Sequence, residues 1–157
     1  VLQPAVEARW RSGDPGLRSL RLSPDAFTPW YWKVIADDGR TLTLGLVKTL
    51  DLPAPYPRRH FARADRAFLD ELGRSAGIFR TYEWFSLYPA MRRAEDQGRE
   101  ELTFLDLRFL SVHPLMRSLF GEREGLFTLT AVLDPASGQL LAYRYGPRGP
   151  LEPVAAR

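Results

Sequence analysis

Apolar and polar residues alternate from Trp30 to Val47, with one interruption at Asp37-Asp38-Gly39-Arg40. In an extended chain Trp30, Trp32, Val34 and Ala36 share one face, and Tyr31, Lys33 and Ile35 share the other. Beyond the interruption, Leu42, Leu44, Leu46 and Leu50 alternate against Thr41, Thr43, Val47 and Thr49. A period of two marks a strand, and Asp-Gly between two such runs marks a tight hairpin. Pro29 leads the first strand. The two tryptophans carry a large apolar area, so this hairpin is expected to anchor a core.

The other segments are read in the same way. Val1, Leu2, Val6, Ala8 and Trp10 predict a short helix over residues 1–12, stopped by Ser12-Gly13-Asp14-Pro15-Gly16. Leu17, Leu20 and Leu22 predict a brief strand ended by Ser23-Pro24-Asp25, and Pro53, Pro55 and Pro57 make residues 51–59 a loop. Phe61, Ala64, Phe68, Leu69, Leu72 and Ala76 fall at helical spacing, with Gly73 and Gly77 placed to break or kink the helix. Ile78, Phe79, Tyr82, Trp84, Phe85, Leu87 and Tyr88 form the densest aromatic run, read as continuing helix and expected to be buried or to meet a partner.

Residues 90–96 and 101–110 predict a second hairpin across Asp96-Gln97-Gly98-Arg99, with Asp106 and Arg108 on the same strand face. Residues 111–124 are expected to be a loop or short helical turn. Residues 126–133 and 139–145 make a last pair across Asp134-Pro135-Ala136-Ser137-Gly138. The sum predicts an α+β fold: a mainly antiparallel sheet of about seven short strands in sequential hairpins, with one or two central helices packed on one face. Residues 1–145 are read as a single domain, 1–16 being a leading helix and linker, and 146–157 as a disordered tail.

Composition narrows the classes. The 157 residues are 45% hydrophobic and 26% charged, as in an ordinary globular domain with a proper core. No run of about 18 apolar residues would span a bilayer, and no basic start leads into an apolar leader. The start at Val1 rather than Met raises the expectation of a fragment. The absence of cysteine excludes disulfides, thiolate nucleophiles and cysteine-ligated metals, and fits a reducing compartment. The net charge is +3, and Lys33 and Lys48 are the only lysines among 22 basic residues. Such a modest surplus does not mark a nucleic-acid binder.

Candidate chemistry is sparse. His60 and His113 are the only histidines, and a zinc site would need both plus a carboxylate such as Asp51 or Glu122. No Gly-x-Ser-x-Gly, His-Glu-x-x-His or glycine-rich phosphate loop occurs, and Asp37-Asp38 and Glu100-Glu101 belong to turns or hairpin ends. Two constellations remain. Asp106 and Arg108, two residues apart on one strand, would lie about 7 Å apart among apolar neighbours, either as a structural ion pair or as the polar floor of a ligand site. Arg58, Arg59, His60, Arg63 and Arg66 form the one basic cluster, either a solvated face or a contact for anionic lipid headgroups or nucleic acid.

Three segments together resemble a known family. They are Pro29-Trp30-Tyr31-Trp32-Lys33-Val34-Ile35, Glu83-Trp84-Phe85-Ser86-Leu87-Tyr88-Pro89 running on to Arg92-Arg93, and Asp106-Leu107-Arg108-Phe109. In this order they resemble the C-terminal soluble region of a bacterial inner-membrane family designated metal-dependent hydrolases. The resemblance spans most of residues 17–145. It departs from the family pattern at 111–124, with its His113-Pro114-Leu115-Met116 insert, and at Leu87, where a basic residue is frequent.

The resemblance implies a soluble accessory domain of a membrane-bound, metal-dependent hydrolase, non-catalytic by itself. It implies no catalytic or metal residue and no cofactor in this segment; a divalent metal would belong to the membrane part. Partners would be the chain's own N-terminal membrane region and an anionic membrane surface, with nucleic acid disfavoured. The parent would sit in the bacterial inner membrane with this domain on the cytoplasmic side. Two rivals stand beside it. One is a stand-alone module binding an anionic ligand through Arg58, Arg59, Arg63 and Arg66. The other is a small enzyme gathering Asp106, Arg108 and one histidine in a cleft.

Overall fold

A computed structural model describes residues 2–25, 28–49, 58–113 and 127–154. Among these the fold is α+β, with three α-helices and an antiparallel sheet of nine strands in sequence order. The class agrees with the sequence reading, and the strands number nine rather than about seven. The chain divides into two compact units: residues 1–62 with 111–122, and residues 63–110 with 123–157.

The first unit holds α1 (Leu2–Gly13), β1 (Ser19–Asp25), β2 (Thr28–Asp37), β3 (Thr41–Lys48) and all but the last residue of β4 (Arg59–Arg63). Val34 pairs with Gly45 and Trp32 with Val47, so the anticipated hairpin forms. Asp37 and Asp38 build its turn. The Asp37 carboxylate accepts the Gly39 N–H at 2.7 Å, and Asp38 accepts the Arg40 and Thr41 N–H groups at 2.7 and 2.6 Å. Those two backbone donors hold the Asp38 carboxyl below its ordinary pKa. Gly39 takes φ +97°, which an L side chain rarely adopts.

The core of this unit differs from the expectation in one respect. Trp30 is exposed and Trp32 half-buried, while Trp10 of α1 is buried with Val6, Leu17, Leu20, Val34, Ala36 and Val47. Gly45 makes room for it: a Cβ there would come within 2.8 Å of the Trp10 ring. Arg58 also lies over that ring, its guanidinium carbon 4.0 Å from the centroid. The opposite face of the sheet is buried too, through Ile35, Leu42, Leu44 and Leu46. Strands buried on both faces carry more apolar residues than a half-solvated hairpin, as the Leu42-to-Val47 run does.

The second unit holds α2 (Arg66–Ser75), α3 (Gly77–Phe85), β5 (Pro89–Asp96), β6 (Arg99–Asp106), β7 (Thr128–Leu133), β8 (Leu140–Tyr145) and the two-residue β9 (Glu152–Pro153). The expected helix from Phe61 starts later. Phe61 instead lies on β4 opposite Leu42, and Asp65 caps α2 by accepting the Ala67 N–H at 3.0 Å. The Phe61–Ala64 spacing fits a helix, but a five-residue strand is too short for its own alternation to compete. Ala76 ends α2 and opens α3 in an extended conformation, so the break falls beside Gly77 as anticipated.

The core of the second unit joins Leu69, Leu72, Phe79 and Tyr82 of the helices to Leu102, Phe104, Leu129, Ala131, Leu133 and Leu140 of the strands. The ring of Phe79 meets that of Phe104 edge-on at 6.0 Å. Beyond β8 the chain folds back along it: Tyr143 pairs with Glu152, and the Val154 N–H donates to Leu141 O at 2.9 Å. The proline loop at 51–57 and the insert at 114–126 lie outside the described residues.

Candidate functional site

The sequence-predicted residues that the fold brings together are Asp106 and Arg108. The strand reading needed them extended. Instead β6 stops at Asp106, and Leu107–Phe109 form a single 3-10 turn. The reason is local. Asp106 caps that turn, its Oδ1 accepting the Arg108 N–H at 3.0 Å. The turn swings the guanidinium back, so Nε and Nη2 of Arg108 reach Oδ2 at 2.8 and 2.7 Å rather than lying a strand spacing away.

Two further bonds tie this pair to the end of α3. Asp106 Oδ2 accepts the Leu87 N–H at 3.0 Å, and Arg108 Nη2 donates to Phe85 O at 2.8 Å. The Asp106 side chain is 0% exposed and that of Arg108 is 29% exposed. A carboxylate removed from water needs such a set of donors, and this one has a cation and two amides. The pair therefore latches the corner where α3 turns into β5.

Two hydroxyls of the same corner have no hydrogen-bond partner although both are buried, Tyr82 Oη and Ser86 Oγ. Burial pushes the Tyr82 phenol well above its ordinary pKa, the Asp106 charge raises it further, and Arg108 opposes both. Tyr82 is thus a neutral phenol across the physiological range.

The outer side of the latch is aromatic. Phe85 and Phe109 stack with centroids 5.7 Å apart and planes 5° from parallel, and Phe127 lies 4.5 Å from Phe109. The Arg108 guanidinium carbon sits 5.0 and 5.1 Å from the Phe85 and Phe109 rings. All three rings are more than a third exposed, and Trp84 and Leu87 are more exposed still, at 81% and 58%. Only part of the aromatic run is therefore buried. Phe79 and Tyr82 enter the core with Ile78 packed against it, while Trp84, Phe85 and Leu87 face outward. Helical phase separates the two sets, but the sequence alone did not indicate where α3 ends.

The arginines of the basic cluster have separate engagements. Arg58 lies on Trp10, and Arg59 lies over Phe61 at 5.3 Å. Arg66 bonds the Glu83 carboxylate at 2.7 Å and the Ser86 carbonyl at 3.1 Å. Arg63 ends β4. Arg58 and Arg59 belong to the first unit, Arg63 and Arg66 to the second.

Both histidines have partners within the first unit. His60 shares a 2.9 Å hydrogen bond with Thr43. His113 is buried and meets the Tyr31 ring edge-on at 4.6 Å. Beside it Ser111 donates to Asp25 Oδ2 at 3.1 Å and accepts the His113 N–H at 3.1 Å. Asp25 is buried, and its Oδ1 has no hydrogen-bond partner. This group escaped sequence reading because 86 residues separate Asp25 from Ser111. Asp51 and Glu122, named as possible zinc ligands, lie outside the described residues. Among the described residues no three His, Cys, Asp or Glu side chains gather as a metal site requires, and no helix is long and apolar enough to cross a membrane.

A scan against known protein families returns no match, and neither does a search of curated proteins or of solved structures.

Proposed function

We propose that this chain is an accessory domain of a larger membrane-bound protein of the metal-dependent hydrolase kind, without catalysis of its own. In this reading it lies on the cytoplasmic side of a bacterial inner membrane, its partner is the membrane region of the same protein, and any divalent metal belongs to that region. The observation that carries the reading is the Asp106–Arg108 latch. Two of the three segments that resemble the family, 83–89 and 106–109, are joined by it through Leu87 N and Phe85 O. The motif residues are thus used to shape a corner. A carboxylate with four donors and a guanidinium bonded to a backbone carbonyl are poor candidates for proton transfer or nucleophilic work.

The test is made on the native protein. An antibody raised against this domain should detect, in fractionated source cells, a species larger than 17.9 kDa in the membrane pellet that resists high-salt washing. A salt-extractable or soluble species of about that mass would overturn the reading.

A further inference from the structure

We infer that the aromatic end of the second unit, built by Trp84, Phe85, Leu87, Phe109 and Phe127 around Arg108, inserts into the headgroup layer of an electrically neutral lipid bilayer. The inference deepens the membrane-facing role proposed above and rests on it, but it names a different contact surface from the arginine cluster.

Topology places these residues at one end of the sheet. Asp106 pairs with Pro89 and Thr128 with Leu105, so the exit of β6, the entry of β5 and the entry of β7 lie side by side. Phe85 and Leu87 precede β5, Phe109 follows β6, and Phe127 precedes β7. Tyr145 ends β8 opposite Leu129 and is half exposed. Five large apolar side chains exposed together are more than the scattered single residues usual on a soluble surface.

The chemistry of the patch selects its occupant. Indole, phenyl and phenol rings beside a guanidinium favour the boundary between water and hydrocarbon, where apolar and polar groups are met together. The nearby charges are already matched within the protein, Arg108 by Asp106 and Arg66 by Glu83. The unit as a whole carries twelve basic and twelve acidic residues, so the net surplus of the chain resides in the first unit. A neutral, aromatic surface complements a zwitterionic headgroup layer and gains little from an anionic one. Binding driven by buried apolar area also differs from binding driven by charge in its response to salt.

The experiment is flotation of the 157-residue chain with phosphatidylcholine vesicles at low and at high salt. The chain is expected to float equally at both. The double variant Trp84→Ser/Leu87→Ser should lower the partition coefficient at least about tenfold, because each exposed apolar side chain that is buried adds more than that factor. Its urea midpoint should match that of the parent, since both side chains lie outside the core. The variant Arg58→Gln/Arg59→Gln should float like the parent chain.

Three results would overturn the inference. The first is no flotation, or flotation only with phosphatidylglycerol that salt removes. The second is a serine variant that floats as well as the parent. The third is a parent chain that sediments as a dimer and a serine variant that sediments as a monomer, which would make the patch a contact between copies. None of these alters the mass of the native protein in the membrane pellet, so this inference and the accessory-domain reading fail separately.

Discussion

Two aspartates are buried to a similar degree, one in each unit, and the protein treats them in opposite ways. Asp106 is 2% exposed and receives bonds from the guanidinium of Arg108 and from the N–H groups of Leu87 and Arg108. Asp25 is 5% exposed and receives one bond, from the Ser111 hydroxyl, while its second oxygen has no hydrogen-bond partner. Burial alone therefore says little about what a carboxylate does for a fold. The donors around it decide whether its desolvation is offset, and thus whether it specifies a conformation or burdens it.

The same substitution at both positions is the sharpest way to break this contrast. Asp106→Asn should destabilise the protein by about 3 kcal/mol, because it leaves the Arg108 charge half-buried without its counter-ion. Urea unfolding at neutral pH measures this directly. Asp25→Asn should have the opposite sign: it keeps an acceptor for Ser111 and removes a poorly solvated charge, so stability should stay level or rise by up to about 1 kcal/mol. A loss at Asp25 as large as that at Asp106 would erase the distinction.

Between these in size is Gly45→Ala. It places a methyl group within 2.8 Å of Trp10, and should cost about 1–3 kcal/mol by displacing that ring from the sheet. A change below about 0.5 kcal/mol would show that α1 can shift freely over the first unit.

The smallest effect concerns the hairpin turn. The Asp38 pKa is lowered on folding, so its contribution is present above the unfolded value of 3.8 and is lost as pH falls through the lower folded value. Because Asp38 is largely solvated, only a few tenths of a kcal/mol are expected, roughly those of an exposed polar contact. Asp38→Ala should reduce the acid-range slope of stability by that much and leave the rest of the pH profile unchanged. An unaltered slope would mean that the turn does not discriminate between the two protonation states.

The regular parts of the fold were legible because they repeat a period over many residues. The Trp30-to-Val47 hairpin, the Asp96–Arg99 turn and the Asp134–Gly138 turn all form where alternation and turn residues place them. Two strands were not legible, each for a physical reason. Strand β4 is too short for alternation to outweigh the helical spacing of Phe61 and Ala64, and its partner Leu42 is 19 positions earlier. Strand β9 has two residues, and only its pairing with β8 distinguishes it from a tail.

The candidate site was half legible. Asp106 and Arg108 were found by their spacing, but the 3-10 turn that closes them is a local side-chain decision that alternation cannot express. The outward-facing rings were hidden for a different reason: Tyr82 and Trp84 lie two positions apart on α3 and so on opposite sides of it, but an unbroken aromatic run does not mark which side meets the sheet.

The claim on which the rest depends is that Asp106 and Arg108 are bound to each other as structure. A double-mutant cycle tests it most directly, with Asp106→Asn, Arg108→Met and the two combined, each followed by urea unfolding. Each single change should cost stability, and the double variant should lose far less than the sum, a coupling of about 2 kcal/mol or more. Single variants as stable as the parent, with no coupling, would contradict it and would return both side chains to the search for a ligand.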